Sequence, residues 1–401
     1  MADMADDEWV PQRPVPASLR PEVSVVGRIS EIGREAWDAC AGSDNPFVSF
    51  DFLDACEEAG CAVERTGWGP RHLTVRDATG AVAGVMPLYL KAHSLGEYVF
   101  DHAWAQAYMD AGGRYYPKLL SAAPFTPVTG PRLLTRSEGS AGNIRSLLLA
   151  GAVSLCEDSG ASSLHINFPT EAEWRACGEA GMLLREDCQY WWENRGYSGF
   201  DQYLGALSAN HRKSIRRERR EAAQGLEIVA LTGSDIREAH WDAFFSFYMD
   251  TGSRKWGRPY LNRAFFSLIG ERMADRIVLI MARRGDNWIA GALNFRSHDT
   301  LWGRQWGAVE HVPFLHFELC YYRAIEWAID HRVARVEAGA QGEHKLSRGY
   351  LPRAVYSAHW IADSRLRAPV ARYLAAERPA VERNMAIMEQ EFSPFRKAPD
   401  A

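Results

Sequence analysis

The sequence has no C-x-x-C pair, no H-E-x-x-H pair and no G-x-S-x-G elbow, which argues against the common zinc sites, zinc peptidases and serine hydrolases. Its seven cysteines (Cys40, Cys56, Cys61, Cys156, Cys177, Cys188, Cys320) are odd in number and scattered. They read as core thiols of a reducing compartment, not as a disulfide framework. No run approaches about 18 apolar residues, so no membrane insertion is expected. A basic excess is also missing: 46 Lys and Arg face 51 Asp and Glu, giving a net charge of −5 and a pI near 6.2. That excludes a general nucleic-acid coat and leaves room only for a local basic patch. Residues 1–21 are acidic, then Pro-rich, with no apolar core of a secretory signal. A disordered leader over 1–22 and a cytoplasmic, soluble protein are expected.

What is present is ordinary globular composition, 47% hydrophobic and 24% charged over 401 residues. That length predicts two domains of about 150–200 residues. Residues 29–61 read as two short helices split by Gly42-Ser43-Asp44-Asn45-Pro46, the second placing Phe52, Leu53 and Cys56 on one side. Apolar runs at 72–76 and 82–90, joined by Asp77-Ala78-Thr79-Gly80, read as a hairpin. An aromatic, loop-like insertion over 99–133, a helix over 143–157 and a buried strand over 163–168 follow. The second half repeats this order, with strands at 277–283 and 288–296, a helix over 317–331 and a strand over 333–338. Final strands close the halves at 189–192 and 356–361, and residues 367–391 read as helix kinked or broken at Pro379. The repetition predicts a diverged duplication. Its joint near 196–200 gives domains 23–196 and 197–401, each an α+β unit with a mixed, mostly antiparallel sheet flanked by helices.

Three segments carry a family resemblance: 86–104 (MPLYLKAHSLGEYVFDHAW), Tyr115-Tyr116-Pro117-Lys118 with 124–130 (PFTPVTG), and 339–345 (GAQGEHK). The chain resembles the bacterial predicted N-acyltransferases of the peptidoglycan biosynthesis/recognition type, relatives of the FemAB peptidyltransferases, over nearly its whole length beyond the leader. The resemblance implies two tandem GNAT-like (acyl-CoA N-acyltransferase) domains and transfer of an acyl or aminoacyl group to an amine. It implies aminoacyl-tRNA or acyl-CoA as co-substrate, with no tightly bound cofactor, and an amine-bearing small molecule or peptide as acceptor. FemAB-like relatives often carry a Phe-Lys-x-x-Phe-Gly segment here; Ser347 occupies the register of that lysine. Lys345, two residues earlier, shares its face if the segment is extended.

Acyl transfer to an amine needs a neutral nucleophile, a carbonyl held close and donors for the oxyanion. Two loops offer suitable groups. In one, Asp101 and His102 follow an apolar strand, with Arg114, Tyr116 and Lys118 nearby as anion binders; the plain structural alternative is a helix cap, a satisfied histidine and a solvated face. In the other, Gln341, Glu343, His344 and Lys345 sit among Gly339, Ala340 and Gly342, whose smallness suits close approach to a ligand. Glu343 or His344 would be the base, and Lys345 or Arg348 the carbonyl or phosphate partner; a charged surface loop is the alternative. Residues 211–220 hold six Lys and Arg against one acid, on a helix with Ser208 as cap. Arg212, Lys213 and Arg216 are phosphate candidates there, with Arg219 on the same face, for coenzyme A or for tRNA; a solvated basic helix reads equally well. Arg136-Ser137-Glu138-Gly139-Ser140-Ala141 has the spacing of a pyrophosphate-binding loop. Arg304, Gln305, Trp306, His316, Glu318 and Tyr322 are candidates to line an acceptor groove, with core packing as the alternative. The duplicated halves are expected to bring the two loops to one cleft. The rival to an enzyme is a non-catalytic module binding a cell-wall precursor or nucleic acid.

Overall fold

The computed structural model describes residues 21–136, 141–255, 259–339 and 342–396. The first half supplies strands β1 (Glu22–Val26), β2 (Trp68–Pro70), β3 (His72–Arg76), β4 (Val82–Met86), β5 (Tyr89–Lys91), β6 (Lys118–Ser121), β7 (Leu134–Thr135), β8 (Ser163–Asn167) and β9 (Leu183–Glu193). The second supplies β10 (Glu227–Thr232), β11 (Ile277–Arg284), β12 (Asn287–Arg296), β13 (Thr300–Ala308), β14 (Arg335–Glu337) and β15 (Leu351–Ile361). Turn chemistry sets the hairpins: Gly285, at φ 58°, and Asp286 make the two-residue turn that pairs Arg284 with Asn287. Side-chain caps start helices, as Ser49 does for Phe50–Glu58 and Asn262 for Arg263–Arg272.

Eleven strands form one sheet in the order β10-β11-β12-β13-β14-β9-β15-β8-β6-β5-β2, beside a smaller sheet β1-β3-β4-β7. Among the described strands only β6–β8 and β13–β14 pair in parallel. Each such pair has the long connection that parallel pairing demands, through the helix Ala141–Asp158 in one half and a helical segment from Leu315 to Asp330 in the other. This is the mixed, mostly antiparallel α+β architecture the duplication predicts.

The final strands are exchanged. β9, from the first half, pairs with β14 and β15 of the second, and β15 pairs with β8 of the first. Periodicity identifies a strand but not its neighbour, so sequence does not show this. A further apolar cluster joins the halves: Phe47 and Phe52 pack edge-on or tilted against Phe265, Phe295 and Trp302 at ring separations of 4.9 to 5.8 Å. Arg272 reaches across to Asp54 at 2.8 Å. Burying each such ring contributes roughly 1.5–3 kcal/mol.

Three segments differ from the sequence reading. The stretch expected as an irregular insertion holds the helix His102–Asp110 and β6. β13 went unread because Gly303 and Gly307 interrupt its apolar pattern. The C-terminal helix Ser364–Glu391 continues through Pro369 and Pro379. It is held against β9 by a bidentate Arg185–Glu377 pair at 2.8 Å and by Arg378 donating to Leu184 O at 2.6 Å. Tertiary contacts here outweigh the two proline defects. Among the described residues no helix is long and apolar enough to cross a membrane, and no cluster of three or more His, Cys, Asp or Glu could hold a metal ion.

Candidate active site

β13 and β14 pair at only three positions, Thr300 with Arg335, Leu301 with Val336 and Trp302 with Glu337. β14 then ends, while β13 continues along β12 to Ala308. Gly303 opposes Asn294 and Gln305 opposes Leu293, so Arg304 is the extra residue of a bulge. Bulges bend a strand and re-aim its side chains. From Gly303 onward the backbone edge of β13 therefore faces a gap where a parallel neighbour would lie. One wall of that gap is the five-residue π-helix Glu318–Tyr322, an element that recurs at functional sites.

The gap is a cavity of about 110 Å³ lined by Asn294, Gly303, Arg304, Gln305, Cys320 and Tyr321, among others. Trp306 and His316 line it too, and they also line a neighbouring groove of about 290 Å³ whose walls include His311, Phe314 and Phe317. Gly307 lets the helix Glu238–Lys255 lie directly on β13, because a Cβ there would sit 2.3 Å from the Phe247 backbone.

Residues 343–348 form a 3-10 helix instead of an extended segment. Lys345 is buried, and its Nζ donates to Ala338 O at 2.6 Å and Gly339 O at 3.0 Å, just past the end of β14. Burial brings its pKa down to about 8, with Arg304 acting in the same direction. Ser347 instead turns back, donating to His344 O. His344 stands at the rim with Nε2 3.1 Å from the Tyr321 hydroxyl, and partial burial together with Arg348 and Lys345 pushes its imidazole below the usual value. Arg348 is buried, donating to Glu218 at 2.7 Å and lying 3.7 Å over the Phe317 ring, so it ties this turn to the groove wall. Gln341 and the side chain of Glu343 lie outside the described residues, as do residues 137–140 of the pyrophosphate-loop pattern.

The helix Ala209–Ala222 packs against both the π-helix and the 343–348 turn. Arg212, Lys213, Arg216, Arg217 and Arg220 line one open concavity on it. Arg217 lies 5.9 Å from the Phe314 ring, so the basic face adjoins the groove. Arg219 is not part of that face. It turns inward to Glu318 and Glu326, leaving Glu318 inside an ion-pair network, and Tyr322 is bonded to Glu218. Of the expected groove residues, Arg304, Gln305, Trp306 and His316 line the gap; Glu318 and Tyr322 do not. Ser208 makes no cap bond to the backbone; its hydroxyl pairs with His211.

The first-half loop lies elsewhere. Asp101, Glu97 and Lys118 are buried together, with Lys118 donating to Glu97 at 2.7 Å and to Asp101, which also accepts from Tyr115 at 2.7 Å. Burial opposes the Asp101 charge, but Lys118 outweighs it and the carboxyl stays below its ordinary range. His102 and Arg114 are exposed and Tyr116 half-buried, so the adjacent Asp101 and His102 point apart. From the strand registers, this cluster lies on the order of 25 Å from Lys345, toward the opposite end of β9. The two loops do not meet in one cleft. The corresponding opening beside β8 is filled by the chain itself: Gly130 N donates to Phe168 O, and buried Arg132 donates to the carbonyls of Val128, Gly130 and Asn167.

Sequence reasoning missed four groups at or beside the gap, Asn294, Cys320, Tyr321 and Glu337. Glu337 is buried at the fork, where burial raises its pKa to about 7. A glutamate inside the apolar run 333–338 was the signal that could have found it.

Residues 28–397 match the family FemAB_like, described as peptidoglycan biosynthesis/recognition. The chain belongs to this family. Two solved structures share the FemAB-like fold along almost their whole length. The C-terminal domain of a predicted lysylphosphatidylglycerol synthetase from Agrobacterium fabrum is 10% identical, with a TM-score of 0.52, covering 90% of this chain and 97% of its own. FemX is 11% identical, with a TM-score of 0.51, covering 87% of this chain and 100% of its own. A tandem GNAT protein from the clavulanic acid biosynthesis pathway reaches a TM-score of 0.46 at 11% identity, covering 86% and 99%. No curated protein matches by sequence. The fold is thus that of the FemAB-like proteins, in a family of peptidoglycan biosynthesis or recognition.

Proposed function

We propose that the protein is an N-acyltransferase that moves an acyl or aminoacyl group from an activated donor to an amine, with the gap between β13 and β14 as its reaction site. The observation that carries this reading is the splayed parallel pair: a strand edge that β14 no longer covers past Trp302, the buried Lys345 ammonium beside it and a basic helix at its mouth. The β13 edge suits an extended, amide-bearing arm through main-chain hydrogen bonds. Phosphates of the donor would lie on Arg212, Lys213 and Arg216, whether they belong to acyl-CoA or to aminoacyl-tRNA. Lys345 and Arg304 place positive charge where the attacked carbonyl oxygen becomes an oxyanion, an effect worth a factor of about 10²–10³ per donor group. His344 at the rim, neutral more of the time than an ordinary histidine, is the candidate to relay the amine proton. The acceptor is an amine on a small molecule or peptide, and family membership favours a peptidoglycan precursor. Incubation with a panel of acyl-CoAs and charged tRNAs plus precursor peptides, followed by mass spectrometry, tests this. New amide products that vanish in Lys345→Met support the reading; donor binding with no product under any pairing leaves a binding module instead.

A further inference from the structure

Asn294 lies on β12 facing the cavity at the fork, and it is 1% exposed. Its Nδ2 donates to Val278 O at 3.1 Å and Ala292 O at 3.3 Å. Two carbonyls on that side fix the amide, so Oδ1 is the atom turned the other way. Among the described residues that Oδ1 is buried with no hydrogen-bond partner. It stands beside Gly303, the register partner of Asn294 on β13, where an added Cβ would lie 3.5 Å from it. Buried acceptors are normally satisfied, so an orphan facing a cavity points to a group that arrives from outside.

The surroundings specify that group. Among the described residues no carboxylate lines the cavity, whereas Arg304 lines it and Lys345 lies close to Arg304 and Cys320. Glu337, the acid buried at the fork, is not in the described cavity wall and is paired with Arg335 at 3.1 Å, so an ammonium would meet Arg304 and Lys345 with no counter-charge in that wall, while a neutral N–H donor meets the free acceptor. We propose that Asn294 Oδ1 is the positioning group for the neutral amine of the acceptor, holding one N–H so that the nitrogen lone pair faces the donor carbonyl. This rests on the transferase reading above. In the step itself the C–N bond forms, the bond from the carbonyl carbon to the departing sulfur or oxygen breaks, and the proton lost by nitrogen ends on that leaving atom. The Asn294 oxygen accepts a hydrogen bond throughout and takes no proton.

Trifluoroethylamine is a small probe whose fluorines keep its nitrogen unprotonated near neutral pH, and trifluoropropane matches its shape with a methyl in place of the amine. Fluorine NMR titrations of the full chain should show saturable binding of the amine, at least about tenfold tighter than the alkane, since a hydrogen bond to an otherwise unsatisfied buried group is at stake. Asn294→Leu should erase the preference. Gly303→Ala is the second variant: among the described residues other than its chain neighbours, the atoms within 4 Å of the new methyl are Asn294 Oδ1 and Glu337 O, so it caps the oxygen while sparing the Nδ2 bonds. It should weaken amine binding about tenfold with an unchanged melting temperature. Equal binding of the two probes, or a preference that survives both variants, overturns the assignment. The transferase reading fails separately, when the amine binds as expected and no donor is consumed.

Discussion

Replacing Lys345 with methionine removes the cation at the fork while keeping a side chain of similar length, and its effect follows from burial. Lys345 is 3% exposed, and burial lowers its pKa to about 8 from the ordinary 10.5. In the unfolded chain the amine returns to its ordinary value, so between these two limits the unfolded state binds the extra proton. Stability must then rise with pH across that window, and it is lowest below about 8. At roughly 1.4 kcal/mol per pH unit the gap amounts to about 3 kcal/mol. Urea denaturation of both proteins from about pH 7 to about pH 11 reads this directly. Wild type should gain about 3 kcal/mol relative to Lys345→Met across the window. Lys91, whose pKa burial lowers to about 7, is present in both proteins and cancels from the difference. Parallel stability curves would refute the reasoning, because they would mean that Lys345 keeps its charge in the fold at no penalty.

Arg348→Met should destabilise the chain by about 3–5 kcal/mol in urea unfolding, because Glu218 is left buried without its guanidinium. Glu337→Gln should abolish a loss of stability of about 3 kcal/mol that wild type shows as pH rises from about 4.5 to about 7, since the folded carboxyl holds its proton longer than the unfolded one. Replacing Arg212, Lys213 and Arg216 together with Gln should leave the melting temperature within a few degrees of wild type. The same triple change should flatten the salt dependence of tRNA binding by about two to three in log–log slope, as read by filter binding. Asp101→Asn should cost about 3 kcal/mol of stability by stripping Lys118 of a partner, yet leave amine binding at the fork unchanged per folded molecule by fluorine NMR.

The sequence by itself determined the local elements. Apolar runs and the Gly285-Asp286 turn marked β11 and β12, the two short N-terminal helices fell where the breaker at residues 42–46 put them, and the repeated order announced the duplication. It also singled out Lys345, Arg348, Arg304 and the basic helix as candidates, because chemistry-bearing side chains beside small residues are visible in one dimension. Tertiary structure decided who meets whom. Strand periodicity carries no information about neighbours, so the exchange of β9 and β15 was invisible, as was the distance it puts between Asp101 and Lys345. Whether adjacent charges share a cleft depends on backbone direction and burial: Asp101 turned into an ion-pair core, His102 into solvent, and Arg219 away from its helical neighbours toward Glu318 and Glu326. The fork, and Asn294 with its unmet oxygen, arise only where β13 outruns β14, because a gap belongs to two strands at once and is encoded in neither.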